Sequence, residues 1–284
     1  MRTPLKFLML ASTGLSAFGV LLLAAAVALV IFNRGHSAIS LDFLTTETTE
    51  AGASGGILWQ LVGTLTLILT AALVAVPFAT ALALLHSFFL KENGFARRTL
   101  GFGIQILNAV PSIIFGIIGL LVFTRLLDWG KSWLAGGILL GIMIIPTIAA
   151  MLAHRIAALP REQLEAAAGL GLRRGQIVCA VVMPQSAAAL LSGLLLGLAR
   201  AAGETAPILF VATIFSGATF PHGIKDQPLL SLSYHIFVLA QDSFHESSRA
   251  NLWGSALVLV TLVTLLGALA IPLRHKLHNA ADHA

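Results

Sequence analysis

Residues 188–216 read Ala188-Ala189-Leu190-Leu191-Ser192-Gly193-Leu194-Leu195-Leu196-Gly197-Leu198-Ala199-Arg200-Ala201-Ala202-Gly203-Glu204-Thr205-Ala206-Pro207-Ile208-Leu209-Phe210-Val211-Ala212-Thr213-Ile214-Phe215-Ser216. The run holds two charged side chains, Arg200 and Glu204, and is otherwise small, apolar or hydroxylic. A helix of about 20 mostly apolar residues, rising about 1.5 Å per residue, crosses the hydrocarbon of a bilayer. The stretch therefore predicts a membrane span, with both charges beside its midpoint at residue 202.

Five further runs meet the same requirement: Phe7–Phe32, Leu61–Leu85, Leu100–Phe123, Leu134–Ala153 and Leu252–Leu273. The expected fold class is an all-α membrane protein of six transmembrane helices. Whole-chain composition agrees: 57% of residues are hydrophobic, 10% are charged, and mean hydropathy is +0.93. Ordinary soluble chains carry roughly 25% charged residues, so these charges are too few to cover a soluble surface. A transmembrane barrel would need alternating strands of about ten residues, and the apolar runs here are continuous. The first run is too long for the 7–15-residue core of a signal peptide and is read as an uncleaved helix. The single Cys179 excludes an internal disulfide framework and a cysteine-based zinc site. The chain reads as one transmembrane domain, residues 1–284. Residues 1–56 supply the first helix and an outer loop, residues 57–275 the core, and residues 154–187 a loop within that core.

Orientation follows from Lys and Arg. Alternate segments hold eleven on one side (Arg2, Lys6, Lys91, Arg97, Arg98, Arg155, Arg161, Arg173, Arg174, Arg274, Lys276) and five on the other (Arg34, Arg125, Lys131, Lys225, Arg249). Positive residues collect in the cytoplasm, so both termini are expected inside. Pro77, Pro111, Pro146, Pro207 and Pro272 lie in or at the ends of spans. Each lacks an N–H, which bundled helices tolerate where neighbours satisfy the backbone. Gly137–Gly141 and Gly193–Gly197 repeat at spacing four and suit close helix contact. The outer loop Asn33–Trp59, with its Thr45–Glu50 stretch and several glycines, is expected to be solvated and flexible. In the outer loop 217–251, Leu229–Gln241 is apolar but too short to span, and predicts an interfacial or partly buried helix.

The cytoplasmic loop 154–187 contains Pro160-Arg161-Glu162-Gln163-Leu164-Glu165-Ala166-Ala167-Ala168-Gly169-Leu170-Gly171. Pro160 suits a helix start, Glu162 and Glu165 favour its positive end, the alanines propagate it, and Gly169 and Gly171 stop it. A short helix with a small-residue face can dock in a partner's groove or lie flat on the bilayer. The pattern Glu165-Ala166-Ala167, then Gly171, then Val181 and Met183-Pro184, resembles the EAA loop of ABC-importer permeases, with Val181 and Met183 as conservative departures. The resemblance implies a type I ABC-importer permease bundle. It also implies that Glu165, Ala166, Ala167, Gly171 and Pro184 couple this chain to a separate ATP-binding subunit.

Arg200 and Glu204 stand four residues apart, on one face of a helix and about 6 Å apart along it. A charge near mid-bilayer costs roughly 2.5–3.5 kcal/mol on insertion scales, so such residues face protein or water and usually serve function; a structural ion pair is the plainer alternative. Guanidinium suits phosphate oxygens. A carboxylate accepts a hydrogen bond only from a protonated oxyanion, which would favour phosphate over sulfate. The string Gly203-Glu204-Thr205-Ala206-Pro207, with Pro111-Ser112-Ile113-Ile114-Phe115-Gly116, resembles PstA-type permeases of phosphate importers, over about Gly55 to Leu273. That resemblance implies phosphate translocation across the bacterial inner membrane through Arg200 and Glu204, with Thr205 offering a hydroxyl. It further implies a PstC-type sister permease, two PstB-type ATP-binding subunits and a periplasmic PstS-type phosphate-binding protein. ATP would be bound by the partner, leaving this chain without cofactor, metal or ATPase site of its own.

Other readings are weaker. Gly130-Lys131-Ser132 resembles the end of a P-loop, but Arg125 stands where the first glycine is required. His275, His278 and His283 fit a solvated basic tail. Trp59, Trp129, Trp133 and Trp253 fit an outer aromatic belt. The alternatives carried forward are an ABC permease for another oxyanion, such as molybdate or sulfate, and an ion-coupled secondary transporter.

Overall fold

The computed structural model describes residues 3–49, 52, 54–91, 93–241 and 246–282. The histidine tail has no described side chains, and the reading placed on it lies outside the described residues.

The chain is helical almost throughout. Helix α1 (Thr3–Gly35) is followed by a short α2 (Leu41–Thr45) and a two-stranded hairpin, β1 (Thr48–Thr49) and β2 (Ser54–Gly55). Helix α3 (Leu58–Leu84) ends in a wide π-turn over Leu85–Phe89. Then come α4 (Phe95–Ala109), α5 (Ser112–Gly119) with a π-turn to Leu126, α6 (Trp133–Ala157) and α7 (Arg161–Gly169). Helix α8 (Arg174–Ile177) runs through a π-turn into α9 (Met183–Gly203). Helices α10 (Ala206–Val211), α11 (Leu232–Gln241) and α12 (Glu246–Asp282) complete the chain. Among the described residues, five helical stretches are long and apolar enough to cross a membrane, and α4 with α5 make a sixth as a bent pair.

Two expected spans depart from single straight helices. The third, Leu100–Phe123, bends by 93° where α4 meets α5. Val110, immediately before Pro111, is extended (φ −66°, ψ 127°), because a proline ring disfavours helical backbone in the preceding residue. The fifth, Ala188–Ser216, starts earlier and breaks in its middle. The helix is continuous from Arg174 to Gly203, Glu204 turns extended (φ −74°, ψ 131°), and α10 begins two residues later with Pro207 in its first turn. The loop 154–187 is correspondingly shorter than its limits suggested. The described residues of the outer loop 33–59 are more ordered than its composition indicated. Ser40 caps α2 through a bond from the Phe43 N–H (3.0 Å), and Trp59 Nε1 donates to Glu47 Oε1 (2.8 Å).

The core is the packing of α3, α6 and α9. Ala71, Ala75, Ala79 and Ala83 form a fully buried stripe at spacing four along α3. Beside it, Gly137 of α6 lies against Thr70, and Gly141 against Val74 and Ala71. A Cβ on Gly141 would stand 2.9 Å from the Val74 Cβ and 3.1 Å from the Ala71 carbonyl oxygen. On the other flank of α6, Gly193 and Gly197 of α9 lie against Ile148 and Ile144. The small residues at spacing four thus serve close helix packing. Pro77, Pro146 and Pro272 stay inside unbroken helices. Helix α1 keeps its described residues 12–30 exposed and touches α12 near its outer end, where Gly35 abuts Trp253 and the Arg34 guanidinium lies 4.9 Å from the Trp253 ring. Its apolar surface suits lipid.

Candidate functional site

Arg200 occupies the last turn of α9, and Glu204 is the residue at which that helix stops. Depth follows from packing. Gly197 rests on Ile144, next to the centre of α6. Arg200 is three residues further along, within about 4.5 Å of mid-depth at 1.5 Å per residue. Arg200 thus lies level with the middle of α6, and the helix expected to carry both charges does not continue through Glu204.

The pair is loosely joined. Arg200 Nε lies 3.5 Å from Glu204 Oε1, with the Arg side chain 35% exposed and the Glu side chain 16%. A contact at that distance through Nε is far from the two-pronged carboxylate pairing that guanidinium can form. Among the described residues Arg200 has no other side-chain partner, so both Nη groups remain free to bind. Thr205 is no longer within a helix. It precedes α10 with φ −113° and ψ −47°, its hydroxyl does not cap that helix, and its carbonyl oxygen accepts from the Leu209 N–H (3.0 Å).

Several elements hold the break open. The Glu204 N–H donates to the Ala201 carbonyl (3.2 Å), and its own carbonyl oxygen accepts from Ser233 Oγ (2.9 Å) on α11. Helix α11 is anchored in turn: the Leu232 N–H donates to Thr64 Oγ1 (2.9 Å), and Thr64 donates to the Gln60 carbonyl (2.8 Å). The short apolar segment of the outer loop thus becomes a partly buried helix that props the break, with Leu232, Ser233 and His235 buried. Beneath it, Ala206 and Pro207 rest on Gly116 of α5, where an added Cβ would stand 3.0 Å from the Ala206 carbonyl oxygen. The other end of α10 is closed by Lys131, whose Nζ donates to the carbonyl oxygens of Leu209 (3.1 Å) and Thr213 (3.0 Å). Burial lowers the Lys131 pKa. A cation at a helix C-terminus satisfies otherwise unpaired carbonyls, which gives the lysine of the rejected P-loop fragment a structural role.

Sequence reasoning missed Ser233, Gly116 and Lys131 as supports. Gly116 belonged to a stretch singled out by resemblance. Ser233 and Lys131 carry no local signal, because their partners lie 29 or more residues away. His235 was missed too. It is 2% exposed and stacks on Phe215 (5.6 Å between ring centres), and neither ring nitrogen has a hydrogen-bond partner. Burial pushes its pKa down to about 4, so it is held neutral.

On the cytoplasmic side, α7 is pinned by one face. Ala167 is buried with Ala83, Leu152, Ala153 and Ile156, and Gln185 Nε2 donates to Gln163 Oε1 (2.7 Å). Glu165 and Ala166 are exposed, and Leu170 beyond them is 83% exposed. Gly171 takes φ +80° with open space around it, which ends the helix in a backbone conformation suited to glycine. Pro184 is exposed in the first turn of α9. The structure brings Glu165, Ala166 and Gly171 onto one free end, turns Ala167 inward as the anchor, and keeps all of them distant in sequence from the Arg200 break. Among the described residues no group of three or more His, Cys, Asp or Glu could hold a metal ion.

A family model described as binding-protein-dependent transport system inner membrane component matches residues 75–278. The chain is 27% identical to the phosphate transport system permease protein PstA of Pasteurella multocida, over 93% of this chain and 92% of that one. It is 31% identical to PstA 2 of Mycobacterium bovis, over 76% and 70%. Among solved structures it resembles the inward-facing MetNI methionine ABC transporter with a TM-score of 0.60 at 16% identity, over 78% of this chain and 97% of that one. The fold is thus that of a type I ABC-importer permease. The chain belongs to the family of binding-protein-dependent transport system inner membrane components: it is a multi-pass membrane subunit of an ABC transporter.

Proposed function

We propose that this permease carries inorganic phosphate across the bacterial inner membrane, as one half of a pore driven by ATP hydrolysis in separate subunits. The observation that carries the reading is the Arg200–Glu204 pair at the mid-depth break. A guanidinium with one long contact offers its remaining N–H groups to phosphate oxygens. The adjacent carboxylate accepts a hydrogen bond from a phosphate hydroxyl, which sulfate and molybdate lack at neutral pH. Broken helices near the bilayer centre are where other transporters place substrates, because their free backbone ends line a cavity. The PstA relatives support the same substrate. Thr205, with its hydroxyl unbound on the neighbouring residue, is a third contact.

The partners that complete the function are a PstC-type sister permease, two PstB-type ATP-binding subunits and a PstS-type phosphate-binding protein outside. The exposed end of α7, carrying Glu165, Ala166 and Gly171, is the contact to the ATP-binding subunit, and Ala167 and Pro184 position it. Closure of the nucleotide subunits would push α7 against α6 and α9, and α9 runs up to the break.

The complex reconstituted in proteoliposomes with ATP inside tests both halves. Labelled phosphate should accumulate only with ATP, and equimolar sulfate or molybdate should leave uptake nearly unchanged. Equal competition by either would contradict the substrate. Gly171→Val forces a β-branched residue into left-handed backbone, at a cost of about 1–3 kcal/mol. It should reduce uptake while ATP hydrolysis continues; fully coupled transport would contradict the docking role of α7.

A further inference from the structure

The inner half of the third span carries polar chemistry that the break does not use. Between the end of α3, helix α4 and the end of α6 lies a cavity of about 350 Å³, room for roughly ten waters at about 30 Å³ each. Its polar lining is His86, Ser87, Arg97, Gln105, Asn108 and His154, and none of its eleven lining residues is acidic. The cavity extends from Asn108, two residues before the Val110–Pro111 bend, to Arg97 and His154 at the cytoplasmic ends of α4 and α6. Arg97 and His154 are close enough to His86 to interact with it electrostatically. Arg97 has no carboxylate partner among the described residues. The Arg97 guanidinium is charged at every relevant pH and faces this space without an acid, so an anion that entered would be favoured there.

The hydrogen bonds fix the role of each group. The Ser87 hydroxyl donates to the Ala153 carbonyl oxygen (3.2 Å), which can only accept. The contact between His86 Nδ1 and Ser87 Oγ (3.2 Å) must then be donated by the imidazole. In the neutral ring that leaves Nε2 as an acceptor. Nε2 lies along Gly101 of α4, 3.1 Å from where a Cβ would stand, so the missing side chain keeps it open to the cavity. The constellation pairs a guanidinium donor with an imidazole acceptor and flanks them with amides. That set matches a tetrahedral oxyanion still carrying a hydroxyl, with its charged oxygens on Arg97 and its O–H on His86 Nε2.

We infer that this cavity is a second oxyanion site, through which a protonated phosphate released at the Arg200 break passes to the cytoplasm. The inference rests on the phosphate reading above for its substrate and stands on separate residues. The Arg200–Glu204 pair and the cavity repeat one chemical pairing, guanidinium with a hydrogen-bond acceptor, at mid-depth and at the inner face.

The test uses the full complex in lipid nanodiscs, without nucleotide or binding protein, carrying Arg200→Gln to silence the outer site. Equilibrium dialysis against labelled inorganic phosphate should show saturable binding. Adding Arg97→Gln should weaken it about ten-fold or more, the equivalent of one charge-assisted hydrogen bond. Gly101→Leu, which fills the cavity from α4, should weaken it similarly while the complex still assembles. Sulfate should displace phosphate poorly. No saturable binding, binding indifferent to Arg97→Gln and Gly101→Leu, or displacement by sulfate as effective as by phosphate would each overturn the inner site. Wild-type ATP-driven uptake separates the two proposals. Phosphate uptake without inner binding rejects this site alone, and inner binding without phosphate uptake rejects the substrate reading and leaves the site standing.

Discussion

Helix α6 keeps Pro146 inside an unbroken helix, whereas Pro207 stands just past the point where α9 gives way to α10. Both prolines remove an N–H and crowd the carbonyl four residues back, at a cost of about 3 kcal/mol in a helix interior. Their surroundings decide the outcome. Pro146 is buried in a helix gripped on both flanks, by α3 against Gly137 and Gly141 and by α9 through Gly193 and Gly197. Ahead of Pro207 stand Gly203, a poor helix former, and Glu204, whose N–H bonds back to Ala201 in the last turn of α9 while its carbonyl finds a partner outside the helix in Ser233. A membrane helix breaks where its freed polar groups are met by other elements. Here the break coincides with the charged pair, while the neighbouring helix stays whole to hold it in place.

Changes at the two prolines and their supports would sharpen or break that contrast. The largest effect is expected at Gly116. A leucine there would collide with Phe210, Pro207 and the Ala206 carbonyl and push α10 off α5. Overpacking of this kind costs about 1–3 kcal/mol. Phosphate uptake should drop about ten-fold or more with the complex still formed, and uptake near the wild-type level would mean that α10 does not shape the site. Next comes a matched pair. Pro207→Ala restores an N–H at the break and should lower uptake severalfold by favouring helical closure. Pro146→Ala should leave uptake within a factor of about two, because α6 is already continuous. Equal effects from the two would remove the distinction.

The smallest effect concerns His235, on the helix that props the break. Its folded pKa is near 4 against 6.5 for the free side chain, so the unfolded segment binds the extra proton first as pH falls. Stability contributed by the neutral ring is complete above about pH 6.5, declines on acidification, and levels off below about pH 4. Moving from pH 7 to pH 5.5 should cost about 1 kcal/mol. It should be visible as lower protection factors in α11, after correction for the intrinsic pH dependence of amide exchange, and His235→Phe should flatten the dependence. Exchange in α11 that is equally pH-dependent after the substitution would contradict the assignment.

Much of this architecture is legible in the sequence because hydrocarbon imposes length and polarity directly. The six apolar runs, the Gly pairs at spacing four, and the short helix ended by Gly171 all follow from local rules. The two bends were only half legible. Pro111 and Pro207 mark them, but Pro77, Pro146 and Pro272 look the same in sequence and leave their helices intact. The difference lies in contacts such as Ser233 with Glu204 and Gly116 with Ala206, which join residues remote along the chain. The inner cavity was illegible for the same reason. Arg97 reads only as one of the cytoplasmic cations until the fold places it with His86 and His154 around one space.

The most direct test is ATP-driven phosphate uptake by the complex carrying Arg200→Gln, with subunit assembly and ATP hydrolysis measured on the same preparation. If Arg200 meets the anion at mid-depth, uptake falls by about two orders of magnitude or more, equivalent to about 3 kcal/mol, while assembly is retained. Uptake at the wild-type rate from an intact complex would show that phosphate crosses without this guanidinium.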